Sequence, residues 1–145
     1  MIHLNKSVSA ADKYLANKNK LQILIFLAAG DSEIHQTESD LISEIASKMG
    51  FSDDEIATEI IEFDRNLNVI IPEEKSEKFS LIYDLFQVML IDGVVTIEEV
   101  AIISKVSFLF GFPAYKLREF YTNLVKANTV DESKEKFLNR MLEKL

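Results

Sequence analysis

The chain has 145 residues, 48% hydrophobic and 28% charged, with four glycines, two prolines and no cysteine. That length fits one domain with a real core, and the composition excludes intrinsic disorder, disulfide staples, thiolate metal sites and thiol nucleophiles. The net charge of −8 is uneven: residues 1–20 set four lysines against Asp12, whereas residues 31–64 set eleven carboxylates against Lys48. Such a field repels phosphate backbones and attracts cations and basic protein surfaces, so nucleic acid is not an expected partner.

Seven helical segments are predicted from apolar spacing. The first runs from about Ala11 to Ala29, with Leu21, Leu24, Ile25 and Ala28 on one face. The second starts near Thr37, with Asp40 completing a capping-box pattern, and stops at Gly50, the residue suited to a left-handed helix end. The third is capped by Ser52, carries Asp53, Asp54 and Glu55 at the positive end of its dipole, and continues through Phe63 and Leu67. A connection from Asn66 to Ser76 follows. The fourth (Glu77 to Ile91) and fifth (Ile97 to Phe110) are apolar nearly all round, which predicts a central place for both, with Phe108 in the core. The sixth begins at Pro113. The seventh, from about Glu132, closes the bundle and shows Lys136, Arg140 and Lys144 to solvent.

An offset of 61 residues aligns the two halves without a gap. Leu24 falls on Leu85, Asp31 on Asp92, Glu38 on Glu99, Ile42 on Ile103 and Ser43 on Ser104, and Gly50-Phe51 falls on Gly111-Phe112. The apolar positions between them also match. A repeat of three helices cannot readily bury its own apolar face, whereas two copies packed about an approximate twofold can. The expected fold is therefore all-α: a single domain over residues 1–145, a bundle of about seven helices. It comprises two pseudo-twofold-related three-helix repeats (about 11–68 and 76–128) and a C-terminal helix.

Each repeat carries an acidic turn. The second reads Ile91-Asp92-Gly93-Val94-Val95-Thr96-Ile97-Glu98-Glu99. Here Asp92 can accept turn N–H bonds, Val95 can pack inward, and Thr96 with Glu98 or Glu99 can cap the next helix. The first reads Gly30-Asp31-Ser32-Glu33-Ile34-His35-Gln36-Thr37-Glu38, with the glycine before the aspartate. Asp31, Glu33 and Glu38 from one turn, with Asp92, Glu98 and Glu99 from the other, could supply the hard oxygen ligands of calcium or magnesium if a twofold brings the turns together. An EF-hand is excluded, because counting from Asp31 places Gln36 and Ile42 where that loop needs Gly and Glu. Helix capping alone also accounts for every one of these acids.

An apolar helix, an Asp-Gly-type turn, a spacer, then Glu opening an apolar helix that ends in Gly-Phe resembles the tellurite-resistance TerB-like family over nearly the whole chain. That resemblance implies a bacterial, all-α, duplicated fold without catalysis. It also implies a divalent-cation cluster and association with stress-response or membrane-linked assemblies. By motif it falls on Asp92, Gly93 and Glu99, and on Asp31 and Glu38, with Ser32 departing from the pattern where the family has glycine.

Asp84 stands in an otherwise apolar helix. Either it lies on an exposed strip or pairs with Lys105, or it joins Asp92 in an acidic pocket. His35 lies among carboxylates that favour its protonated form, which would make it a pH-responsive group or simply a surface histidine. No phosphate-binding glycine loop, zinc spacing or serine triad is present. The absence of cysteine, of an apolar run near the ~20 residues that span a bilayer, and of a signal-peptide pattern makes a cytoplasmic location without membrane insertion the expectation. The functional expectation is a non-enzymatic stress-response module that binds calcium or another divalent cation, or a partner protein, through its acidic turns. The alternative is a purely structural interaction or scaffold domain without metal, a homodimer included. A third reading makes the carboxylates the acid and base of an enzyme.

Overall fold

A computed structural model describes residues 10–30, 34–63 and 67–145. Among the described residues the secondary structure is seven α-helices and no strand: α1 (Ala10–Ala28), α2 (Gln36–Lys48), α3 (Asp53–Ile61), α4 (Lys75–Leu90), α5 (Ile97–Leu109), α6 (Ala114–Thr129) and α7 (Lys134–Lys144). None of these helices is long and apolar enough to cross a membrane.

α1 and α4 pack along each other at the centre, with α2 and α5 each touching both and α7 lying on α4 and α6. The C-terminal half of α1 is enclosed accordingly: Leu21, Ile23, Leu24 and Leu27 have no exposed surface. α4 buries Phe79, Leu81, Ile82, Leu85, Phe86, Val88 and Met89, as its largely apolar composition leads one to expect. Aromatic rings tie α4 to the last two helices. Phe120 meets Phe79 and Phe137 edge-on at centroid distances of 5.6 and 5.2 Å, and Phe79 meets Phe112 at 4.9 Å. Full burial of each such ring contributes roughly 1.5–3 kcal/mol, before the gain from ring geometry.

The helix stops are local chemistry. Gly50 and Gly111 both adopt left-handed φ, 98° and 83°. Behind each, the following phenylalanine donates to a carbonyl five residues back: Phe51 to Ala46 at 3.1 Å and Phe112 to Ser107 at 2.9 Å. α3 is capped by Ser52 as expected, with Glu55 returning the bond. It ends at Ile61 and does not continue through Phe63 and Leu67, as periodicity alone predicted. Beyond it the Asn19 side chain on α1 accepts from Ile70 N at 2.8 Å and donates to Asn68 O, tying the connection to α1. The N-cap of α2 is His35 rather than a residue at Thr37, and Pro113 precedes α6 as its cap.

α5 is enclosed on one face only, not all round as its composition predicted. Only Glu99, Ile103, Val106 and Ser107 of that helix are buried, while Ile97 and Phe108 are 85% and 77% exposed. A helix apolar all round need not be central when it meets its neighbours along one face. Val95, expected to turn inward, is also largely exposed.

Candidate functional site

The α4–α5 turn is built by short-range bonds. Gly93, at φ 76°, donates to Leu90 O at 3.1 Å, and Asp92 Oδ1 accepts from Val94 N at 2.9 Å. Thr96 then caps α5: its Oγ1 accepts from Glu99 N at 3.2 Å, while Glu99 Oε1 accepts from Thr96 N at 2.9 Å and from the Thr96 hydroxyl at 3.0 Å. At the start of α2, Glu38 Oε1 accepts from His35 N at 3.1 Å. Both glutamates are buried, Glu38 to 2% and Glu99 to 4% exposure, because α2 and α5 each pack on both central helices and bring their N-termini together.

Carboxylates so placed feel each other. Burial raises the Glu38 pKa, the His35 backbone N–H offsets part of the rise, and the negative charges of Asp92 and Glu99 add to it. His35, Glu38 and Asp92 each offer one ligand atom, and these atoms lie within 4.8 Å of one another. His35 and Asp92 are partly or fully open to solvent, so the cluster has a buried floor and an accessible mouth.

Of the residues singled out in the sequence, Glu38, Asp92 and Glu99 therefore come together. Glu98 lies apart from them, on the exposed side of α5. Asp31 and Glu33 fall outside the described residues. His35 is the member that sequence reasoning did not include among ligands. Its signal was positional: three residues before Glu38 and 61 before Thr96, it occupies an N-cap. Gly30 has a separate cause. A Cβ there would stand 3.2 Å from Ile102 Cδ1 and from Leu27 O, so the end of α1 lies close against α5 and a side chain would need Ile102 to shift by a few tenths of an ångström.

Asp84 belongs elsewhere. It is buried, and it pairs with Lys134 at the start of α7, Nζ to Oδ1 at 2.9 Å and to Oδ2 at 3.1 Å. Neither Lys105 nor Asp92 is its partner, because α7 docks on α4 with Lys134 beside it. Burial raises its pKa despite Lys134, with smaller opposing pulls from Lys20 and Lys48. These lysines and Asp84 line a cleft of about 710 Å³ between α1, α2, α4 and the α6–α7 connection, which Leu90 and Ile91 at the start of the α4–α5 turn also line. Of its charges, Lys48 pairs with Glu44 and Lys134 with Asp84, while Glu132 pairs with Arg140 outside the cleft.

No protein-family model, no curated protein and no solved structure matches the chain.

Proposed function

We propose that the chain is a non-enzymatic module of the TerB-like kind, serving a stress response, that binds a divalent cation where the N-termini of α2 and α5 meet. The observation that supports this is the convergence of His35, Glu38 and Asp92 within 4.8 Å from segments 57 residues apart in sequence. Two oxygens on opposite sides of a calcium ion at ~2.4 Å stand ~4.8 Å apart, so the set fits a calcium-sized sphere and would close by a few tenths of an ångström around a smaller ion bound at ~2.1 Å. A cation there also relieves the repulsion that Glu38 feels from Asp92 and Glu99. The two helix ends oppose it with about +0.5 charge each, but three carboxylates leave the mouth clearly negative. An imidazole donor beside carboxylates favours manganese or zinc over calcium.

The same proposal includes a duplication relating the two turns. It is supported by the matching stops at Gly50 and Gly111 and the matching glutamate bonds at Glu38 and Glu99. A second reading, a scaffold without metal, is favoured by one observation: both glutamates already serve as capping-box acceptors.

Thermal melts of the chelator-stripped full chain with Mn²⁺, Zn²⁺ or Ca²⁺ separate the two. An ion at a hundred times its Kd adds about 2.7 kcal/mol. Asp92→Asn and His35→Asn, the latter keeping a good capping residue, should remove that gain. If none of the three ions moves the wild-type transition, the scaffold reading replaces this one.

A further inference from the structure

The outer face of α5 is bare and patterned. Ile97, Ala101, Ser104 and Phe108 are all exposed, and their spacing of four, three and four is that of a heptad seam. At ~100° per residue they share an arc of about 60° over a length of ~16 Å. The large side chains stand at the two ends and the small ones in the middle, where a second helix can approach closely. Along one flank run the exposed Glu98 and Lys105, seven residues apart, and on the other flank the half-exposed Val100 carries no charge.

This flank decides the orientation of a partner helix. In an antiparallel pair related by a twofold, like flanks meet, so Glu98 of one copy stands opposite Lys105 of the second, and the pair occurs twice. In a parallel pair the charged flank would face the partner's Val100 side and neither charge would be met. The face is thus complementary to itself in one arrangement. The exposed Ile97, Val100 and Phe108 lie together on this face, and large contiguous apolar surfaces often mark interaction sites. Val94 and Val95, both exposed, precede α5 at the end where Phe108 of a second copy would arrive. Two such faces together bury on the order of 1,000 Å², the low end for a specific interface.

We propose that α5 is a homodimer interface: two copies of this chain associate reversibly through antiparallel α5 helices, with Glu98 paired to Lys105 across the twofold.

The test is sedimentation equilibrium of the full chain across roughly 1–500 µM, the range where a small interface dissociates, with chelator present so that metal-bridged association does not count. The mass should rise from 16.5 kDa toward twice that value. Glu98→Lys and Lys105→Glu should each weaken self-association ~10-fold or more by placing like charges opposite each other. A 1:1 mixture of the two variants should recover wild-type affinity as a heterodimer, since each then supplies the charge the other lacks. Phe108→Asp should be monomeric with an unchanged circular dichroism spectrum, because that ring leaves only 23% of its surface inside the protomer. A wild type that stays monomeric throughout overturns the proposal. So does a dimer that survives Phe108→Asp, or a mixture no tighter than its separate components.

Discussion

Lys134 Nζ lies 2.9 Å from Asp84 Oδ1, joining the first turn of the last helix to the middle of the central one. The two side chains differ in environment: the lysine is 39% exposed and the aspartate 12%. The ammonium therefore keeps much of its hydration while the carboxylate has lost most of its own. Removing one partner is not equivalent to removing the other.

Lys134→Met should destabilise the protein by roughly 1–3 kcal/mol, because it leaves a buried carboxylate with only the more distant Lys20 and Lys48. Asp84→Asn should cost less than ~1 kcal/mol or stabilise slightly at neutral pH, since burial already disfavours the charge there. The double variant should recover most of the Lys134→Met loss. Urea melts of the four proteins check this, and a double variant no better than Lys134→Met would show that packing of the lysine stem dominates.

The pH dependence follows from the direction of the same shift. Because the folded Asp84 pKa is raised, the folded chain holds a proton over a window that opens at the ordinary aspartate value and extends upward, a window in which the unfolded chain has released it. Asp84 therefore makes stability fall as pH rises through that window. Glu38 acts with the same sign. Any advantage of Asp84→Asn over wild type should be largest near pH 7 and shrink on acidification toward pH 4. Melts across that range that show the advantage growing toward acid would contradict the assignment.

Asp131, just past the end of α6, takes a left-handed φ of 51°, while Glu132 N behind it donates to Ala127 O at 3.1 Å. Asp131→Gly should stabilise the fold by ~0.5–1 kcal/mol by removing the Cβ from that conformation. Asp131→Val should cost at least as much in the opposite direction, and a thermal melt of each reads both signs.

Phenylalanines at similar helical spacing should differ sharply in cost. Phe120→Ala should lose about 3–5 kcal/mol, since the ring is fully buried against Phe79, Phe86 and Phe137. Phe108→Ala should change protomer stability by less than ~0.5 kcal/mol. Comparable losses at both positions would mean that α5 faces the core after all.

The seven helices, the caps at Ser52 and Thr96, the left-handed stop at Gly50 and the bond that closes the Asp92 turn were all legible from the sequence. Each depends on chemistry within about five residues, so the chain states it directly. Glu38, Asp92 and Glu99 could be nominated as a cluster because the 61-residue offset placed like residues at like positions. Only tertiary packing decided the rest. α5 is apolar on every side, so its periodicity carries no information about which face is covered, and Phe108 lies outside while Phe120 lies inside. Asp84 finds Lys134 across 50 residues, a choice made where α7 docks on α4. His35 joins the acidic mouth because two helix N-termini meet there. Local hydrogen bonds are specified by neighbours in sequence, whereas burial and charge pairing are specified by whichever helix arrives alongside.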